Sequence, residues 1–495
     1  MKGGRKRKAS EIEEADVEEA AKKHLKASET TSGGDVATGP DEDLIEVFNS
    51  LPTDSTVQKS RNETFYPINQ AETEPTRFKI PMTRAFTDLK AIIFEYTVEY
   101  VGNADANVLT DAAKVSTIQD PGHAHISQCQ TWFNGTALPG EISDHQDLAH
   151  YITTLLTTTK EERATWHAAS GWEEDTPGQL NHLDPTGDTI ETFAAKTDAD
   201  VGGDADAKIA SIIALLRKQG ASNRGAQERF LRIRRGNNRV TYLVYPEIPV
   251  FQQPKYLVPG VEIEMAIRWN SSRYCLLAAQ AANDNFTAPR FKIVAGSQKL
   301  HVRFAEIQKE QHMFIESQML AGSRIATYDF VQPRLDFKTL QDGQQLFTLN
   351  SVFQNSRPNQ VIMGFIPGAA RDGSYTQSPY NFEPHNIRSI RFTVDGEEIP
   401  WTRLIFDETN PSYLKGYMMM NYFYGEQMKS VPIGIKPEDF SQGFTLFPFN
   451  LNPSGTLPED YVTKLNKGNI DVHLEFSQNT SNNLTVVFLF LYENQ

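Results

Sequence analysis

The sequence predicts an all-β fold made of two tandem β-sandwiches with a few short helices. Most of the chain after Phe65 consists of short β-branched or aromatic runs separated by Gly, Pro and Asn turns, which is typical of sandwiches and barrels. The chain has 495 residues, more than a single core usually supports. One sandwich needs about 100 to 200 residues, so two sandwiches fit the length.

The clearest predicted strand is IIFEYTVEY, residues 92–100. Large apolar side chains such as Phe94 and Tyr96 occupy every second position, and Glu95 and Glu99 lie on the opposite face. Because strand side chains alternate with a period of two, this pattern predicts a strand buried on one face. Helical patterns are sparse, and we predict helices only near residues 147–158, 207–219 and 306–320.

Two pairs of segments indicate an internal duplication. ISQCQTWFNGTALP (126–139) aligns without gaps to IRSIRFTVDGEEIP (387–400), and IEMAIRW (263–269) aligns to IDVHLEF (470–476). In the first pair each strand ends at Asn-Gly or Asp-Gly, dipeptides that tolerate the positive φ of a two-residue hairpin turn. The repeat therefore predicts a domain duplication, with structural hairpin turns at Asn134, Gly135, Asp395 and Gly396.

The duplication predicts the following division of the chain. Residues 1–60, a basic and acidic segment almost free of aromatics, form a disordered tail. Residues 61–308 form the first sandwich, residues 309–322 a helical linker, and residues 323–495 the second sandwich. The two aligned landmarks lie further apart in the first half, so we expect a long insertion at about 157–236, rich in Asp and Glu, on an exposed loop.

Charge and cysteine content narrow the class of protein. The formal net charge of −15 argues against a chain that coats nucleic acid along most of its surface. Two cysteines make no disulfide framework, which favours a reducing compartment. No run of eighteen apolar residues is present, so we expect no membrane span. The N-terminal residues lack the apolar segment of a secretory signal.

Two basic clusters stand out in this acidic chain. The N-terminal cluster indicates a nuclear-localisation signal or a nucleic-acid contact, with a merely solubilising terminus as the alternative; its residues are Arg5, Lys6, Arg7 and Lys8. The second cluster lies in RGAQERFLRIRRGNNR (224–239). It indicates either a subunit interface or an exposed strand edge guarded by charge, with a nucleic-acid contact as a third alternative; its residues include Arg229, Arg232, Arg234 and Arg235.

The sequence predicts no catalytic site, no cofactor and no metal, so we expect a protein that is not an enzyme. His123 and His125 form an HxH pair, which zinc sites use on strands, but no further ligand follows nearby and Pro121-Gly122 indicates a turn. The carboxylates of residues 173–175 lie in the acidic insertion, and not in an apolar pocket that would raise a pKa. No nucleophile-elbow pattern or phosphate-binding loop is present.

The most aromatic stretch is DFSQGFTLFPFNLNP, residues 439–453. With alternating directions, both faces of this strand are mostly apolar, which predicts burial between sheets or against a neighbouring sandwich. Its predicted core residues are Phe444, Leu446, Phe447 and Phe449. Pro448 predicts an interrupted ladder, at a bulge or at the end of the strand.

Several of these segments together resemble one family. QNSRPNQVIMGFIPGAARDGSYTQSPYNFEPHNIRSIRFTVDG is similar to that family's buried strand, GSY turn, PxNF segment and strand ending in V-D-G. DFSQGFTLFPFNLNP resembles its G-[YF]-T-L-F-x-F-[DN]-L-x-P motif, and WFNGTALP followed by HYITTLLTTTKEER resembles its N-G turn and tyrosine helix. On these motifs the chain resembles the double jelly-roll major capsid proteins of the Polinton/Maverick–adintovirus group, with adomavirus hexon-type proteins as relatives.

The resemblance implies two eight-stranded jelly rolls and a structural role. Such a hexon-like subunit forms a homotrimer, a pseudo-hexagonal capsomer that tiles an icosahedral shell around a double-stranded DNA genome. Its partners would be neighbouring capsomers and penton or minor capsid proteins, its location the virion capsid and, during assembly, the host nucleus. Direct contact with the genome is left open. The alternatives are a minor or vertex capsid protein, which needs one jelly roll, and a glycan-binding or glycosidase β-sandwich, which for hydrolysis needs paired carboxylates.

Overall fold

The computed structural model describes residues 57–494 with gaps. The residues not described within that range are 70–74, 103–114, 140–141, 143, 182–222, 279–287, 323–324, 354–357, 395, 399–402, 407–412, 429–432, 452–468 and 482. The basic cluster at residues 5–8, the helix predicted at 207–219 and Asp395 of the second hairpin turn lie outside the described residues.

The described residues form strands throughout, with short helices between them. The strands are β1 (Val57–Phe65), β2 (Thr76–Ile80), β3 (Phe86–Val101), β4 (Val115–Thr117), β5 (Ile126–Phe133), β6 (Thr136–Ala137), β7 (Arg239–Val244), β8 (Ile263–Trp269), β9 (Leu276–Ala278), β10 (Arg290–Ile293), β11 (Lys299–Ile307), β12 (Phe330–Thr339), β13 (Leu346–Phe353), β14 (Gln360–Pro367), β15 (Ile387–Val394), β16 (Glu397–Glu398), β17 (Leu404–Ile405), β18 (Leu446–Asn450), β19 (Ile470–Phe476) and β20 (Leu484–Asn494). The helices are α1 (Pro121–Ala124), α2 (Gln146–Thr157), α3 (Lys160–Thr165), α4 (Arg224–Arg235), α5 (Ser272–Cys275), α6 (Lys309–Leu320), α7 (Gly368–Asp372), α8 (Leu414–Met428) and α9 (Pro437–Phe440), with 3-10 turns at Trp166–Ala169 and Pro249–Phe251. Within this part of the chain no helix is long and apolar enough to cross a bilayer.

The strands make two copies of one sheet arrangement. In the first half, β1-β11-β3 form one sheet in which β7 also pairs with β3, and β2-β8-β5-β6 form another. In the second half the corresponding sheets are β12-β20-β14-β18 and β13-β19-β15-β16. Each half thus pairs its eight principal strands in the same non-sequential order, which is the topology of a jelly roll. The chain is a double jelly roll, as predicted.

The repeat found in the sequence occupies equivalent positions in the two jelly rolls. β5 pairs with β8 in the first copy, and β15 pairs with β19 in the second. A short strand pairs with the end of β5 and another with the end of β15, with Phe133 opposite Thr136 and Val394 opposite Glu397. In the first turn Asn134 and Gly135 have φ of 49° and 77°. Positive φ at both central residues is the type I′ geometry that matches strand twist.

Strand β3 shows why these residues form a sandwich. From Ile92 to Tyr100 its burial alternates, with Phe94, Tyr96 and Val98 fully buried. These side chains belong to the core of the first jelly roll. Glu95, on the other face, pairs with Lys299 at 2.8 Å on β11. The predicted period of two is confirmed, since the strand buries one face and places charged cross-strand pairs on the other.

Strand β18 corrects one detail of the prediction. Phe444, Leu446, Phe447 and Phe449 are each at most 2% exposed. Pro448 pairs with Ile362 of β14 without a shift in register, so the predicted interruption at a bulge or strand end is wrong. β18 is instead one of the two edge strands of its sheet. An edge strand tolerates a proline because one row of its backbone groups has no neighbouring strand to bond.

Two predicted boundaries also change. The predicted tail ended at residue 60, but β1 begins at Val57 and pairs with β11 along its length. β1 carries mostly exposed polar residues, so it lacks the apolar alternation by which sequence identifies a strand.

The insertion at about 157–236 is not simply an exposed loop. Its described parts, α3, the turn after it and α4, pack onto the body and bury Trp172 and Leu180.

Candidate functional site

The arginine-rich segment forms helix α4, and the prediction of an exposed strand edge is wrong. Asn223 caps the helix, its side chain accepting a hydrogen bond from the Ala226 amide. Ala226, Phe230 and Ile233 are buried on one face. Their spacing of three and four residues is the helical period, which the five arginines of α4 obscure in the sequence.

Arg229 is the centre of this helix's attachment. Its side chain is 1% exposed and donates to Asp175 Oδ1 at 2.7 Å, to the Glu173 carbonyl at 2.7 Å and to the Thr117 carbonyl at 2.9 Å. Burial raises the pKa of Asp175, and the adjacent Arg229 offsets only part of that effect. The predicted role of Arg229 at a subunit interface is therefore wrong, because the guanidinium is enclosed by its own chain.

The acidic residues of the insertion meet further arginines. Arg232 lies 3.1 Å from Glu173, and the buried Arg163 lies 3.5 Å from Glu174. Arg163 also donates to the Ile433 carbonyl at 2.9 Å. This last contact joins the insertion of the first jelly roll to the second. The expectation that no burial raises the pKa of these carboxylates is wrong for Glu173 and Asp175, because burial raises the pKa of both.

The other two arginines of the cluster have different surroundings. The Arg234 guanidinium lies 5.2 Å from the centroid of the Phe230 ring, a cation–π contact within one helix. Arg235 is exposed at the end of α4. A subunit contact by Arg232, Arg234 or Arg235 remains a prediction.

A buried carboxylate joins the two jelly rolls. Asp147 of α2 accepts hydrogen bonds from Tyr274 Oη and Tyr380 Oη, both at 2.9 Å, and from Asn270 Nδ2 at 3.0 Å. Burial raises the pKa of Asp147 to about 6, against the opposing effects of His145 and its three donors. Because Tyr380 belongs to the second half, this network ties α2 to both halves.

In the HxH pair, His123 lies in the short helix α1 and His125 directly follows it. Their imidazoles have separate partners. His123 Nδ1 lies 2.8 Å from Asp120 Oδ2, and His123 Nε2 lies 3.2 Å from the Tyr245 carbonyl. His125 Nδ1 lies 3.2 Å from Tyr96 Oη. Burial lowers the pKa of His125 to about 3, so that ring is neutral at pH 7.

Asp120 belongs to a larger buried cluster that the sequence did not indicate. His150 Nε2 lies 3.2 Å from Asp120 Oδ2, and His150 Nδ1 lies 2.9 Å from Glu247 Oε2. Burial opposes a charge on His150, but Glu247 and Asp120 outweigh it and raise its pKa to about 10. His167 is the nearby uncharged member, because burial and His150 lower its pKa to about 4. These residues come from separate segments, so no short sequence motif contains them.

The helix between the jelly rolls presents apolar side chains to solvent. None of the residues of α6 is buried. Met313, Phe314 and Leu320 are 60%, 57% and 82% exposed, and Ile325 beyond the helix is 87% exposed. Clustered exposed apolar residues of this size mark contact sites for other molecules. We refer to these four residues as the linker surface.

Comparison of the sequence with known proteins gives a distant relative. No protein-family model matches the chain. A curated relative, an uncharacterized protein of Caenorhabditis elegans, is 19% identical over 238 residues, which are 47% of this chain and 54% of that protein. The chain therefore spans about half the length of the curated relative that it matches.

Two solved structures cover nearly the whole chain. A chain of the Sputnik virophage structure determined by cryo-EM gives a TM-score of 0.53 at 11% identity, covering 93% of this chain and 91% of that one. The Faustovirus major capsid protein gives a TM-score of 0.52 at 12% identity, with 95% of each chain covered. At these identities the likeness shows the fold, a double jelly roll, which the strand order above shows independently.

Proposed function

We propose that this chain is a major capsid protein, a hexon-like structural subunit without catalytic function. The observation that carries the proposal is the duplicated strand order, two complete jelly rolls in one chain. The fold likeness extends over 95% of a protein that is itself a major capsid protein. A vertex or minor capsid protein needs only one jelly roll, so the duplication favours the major capsid role.

Duplication and threefold symmetry together explain the proposed assembly. Three chains around one axis place six similar jelly rolls in a ring, so the homotrimer is a pseudo-hexagonal capsomer. Such blocks tile an icosahedral shell, here around a double-stranded DNA genome, with penton or minor capsid proteins at the remaining positions. The resemblance in sequence motifs supports assignment to the Polinton/Maverick–adintovirus group and assembly in the host nucleus.

The linker surface is the candidate contact between subunits. It lies at the connection between the two jelly rolls, where a neighbouring chain in the trimer could cover it. Stable interfaces between subunits are rich in apolar side chains that are exposed in the single chain. We therefore propose that Met313 and Phe314 are buried in the homotrimer.

We expect the purified chain to have three times its monomer mass in mass photometry and to form threefold particles in negative stain. Met313→Asp should weaken the trimer by more than about tenfold, because a charge would be buried at each interface. Met82→Asp is the matched control, since Met82 is also 60% exposed. A pentamer would identify a vertex protein, and a monomer at micromolar concentration would contradict the proposal.

The N-terminal residues are expected to act in localisation or particle formation, and not in trimerisation. Removing residues 1–55 leaves every described strand of both jelly rolls in place, because β1 begins at Val57. The trimer should therefore persist, while nuclear accumulation or particle yield in expressing cells should fall. Replacing only Arg5, Lys6, Arg7 and Lys8 by Ala separates the basic cluster from the rest of the segment. Unchanged localisation and assembly in both variants would contradict the predicted role.

A further inference from the structure

The buried cluster around Asp120 has the composition and spacing of a metal site. Asp120, His150 and His167 each offer one ligand atom, and these atoms lie within 4.8 Å of one another. The Asp120 Oδ2 and His150 Nε2 atoms are 3.2 Å apart. Two ligand atoms of a tetrahedral zinc ion with ordinary bond lengths lie roughly 3.3 Å apart. The distance between these two atoms is therefore already close to that between two zinc ligands.

A second observation is an unpaired oxygen. Asp120 is 1% exposed, and its Oδ1 atom is buried without a hydrogen-bond partner. Its other oxygen, Oδ2, lies 2.8 Å from His123 Nδ1 and 3.2 Å from His150 Nε2. A buried carboxylate oxygen left unpaired costs free energy, and a cation bound by both oxygens of Asp120 would remove that cost.

His150 has the surroundings of a metal-bound histidine. Glu247 Oε2 lies 2.9 Å from His150 Nδ1, which leaves His150 Nε2 facing Asp120. In metal sites the second ring nitrogen of a ligand histidine commonly donates to a carboxylate, which fixes the orientation of the ring. Thr154 Oγ1 lies 3.3 Å from the same Nε2 atom and is a further polar group at this position.

The cluster is also accessible. His123, His150 and His167 line an open recess together with polar groups that include Thr153, Thr154, Thr157 and Ser170. His167 is only partly buried, so one proposed ligand is reached by solvent. The recess provides an entry path for an ion and space for a water molecule as a fourth ligand.

We propose that Asp120, His150 and His167 bind one zinc ion, with Glu247 as the positioning residue for His150. The donor set of two imidazoles and one carboxylate suits zinc, whereas magnesium and calcium prefer oxygen alone. The ligands come from the segment before α1, from α2 and from the turn at Trp166–Ala169. Zinc would therefore tie the start of the insertion to the first jelly roll, independently of the proposed capsid role.

Equilibrium dialysis of the full chain against zinc sulfate, after treatment with EDTA, tests the proposal. Zinc content measured by mass spectrometry should reach one ion per chain, and the Tm should rise with zinc concentration. His167→Gln should weaken zinc binding by at least tenfold. The control is His301→Gln, which changes another histidine paired with a carboxylate, Glu95, in the first jelly roll and should bind zinc like the wild type.

A positioning variant gives a second readout. Glu247→Gln should retain one site per chain but weaken its affinity by about 10 to 100 times, the usual effect of removing such a carboxylate. If the wild type retains no zinc, or if His167→Gln and His301→Gln bind zinc equally, the proposal is overturned. The cluster is then a buried ion-pair network of Asp120, His150 and Glu247 alone. The wild-type measurement decides this even if a variant fails to fold.

Discussion

Replacing Phe447 by Asp is expected to abolish soluble protein. Phe447 is fully buried, and its ring centroid lies 5.3 Å from that of Phe406 and 6.0 Å from that of Phe440. Helix α8 packs closely over it, since a Cβ added at Gly416 would lie 2.7 Å from the Phe447 ring. The aspartate would lose this aromatic packing and would place an unpaired charge in an apolar core. Either effect is comparable with a large part of a domain's stability.

The measurement is the soluble yield of the full chain after expression and centrifugation. Leu346→Asp is the matched control, because Leu346 also lies on a strand of the second jelly roll but is 71% exposed. The Leu346→Asp variant should have the same soluble yield as the wild type. A soluble Phe447→Asp variant with a native circular dichroism spectrum would show that β18 is not the buried strand described above.

The second large effect is expected at Arg229. Arg229→Met should lower the free energy of unfolding by about 3 to 5 kcal/mol, because it leaves the buried Asp175 carboxylate without its partner. It also removes the donors to the Glu173 and Thr117 carbonyls. Trp172 is buried and directly precedes Glu173 in the chain, so its fluorescence should report the change during urea unfolding.

A double-mutant cycle separates the charge from the packing. Adding Asp175→Leu to Arg229→Met should recover part of the loss, because replacing both charges of a buried pair costs less than removing one of them. Arg232→Met is the control, since the pair of Arg232 and Glu173 is about one third exposed and contributes about 0.2 to 1 kcal/mol. Equal effects of Arg229→Met and Arg232→Met would contradict the description of Arg229 as the anchor of α4.

Local patterns were enough to predict two tandem β-sandwiches, and the family resemblance added that both are jelly rolls. The alternation in residues 92–100 predicted β3, and the Asn134-Gly135 dipeptide predicted the first hairpin turn, because a strand face and a turn each depend on neighbouring residues alone. The helices predicted near 147–158 and 306–320 correspond to α2 and α6. The edge strand β1 was missed at its start because an exposed, polar strand carries no such signal.

Contacts between distant segments could not be predicted in this way. The segment that forms α4 was interpreted through its arginines, although the spacing of Ala226, Phe230 and Ile233 was the better signal. No spacing rule brings Asp120 and Glu247 to the same imidazole, because both contact His150 from distant segments of the chain. The hydrogen bond between Tyr380 and Asp147 likewise joins distant segments and follows from no sequence spacing. Sequence therefore predicted the layers of the fold but not the charged clusters between them.

The contacts between the two jelly rolls have a consequence for how one chain can change its shape. Tyr151 of the first half stacks on Tyr380 of the second at 4.2 Å, inside one continuous apolar core, and the Arg163 contact with Ile433 spans the same boundary. A hinge at this boundary would have to separate stacked rings and expose buried cations. The stacked rings and the buried cation therefore oppose relative movement of the two jelly rolls within one chain. In a shell of the proposed kind, curvature would then be adjusted between capsomers and not within them.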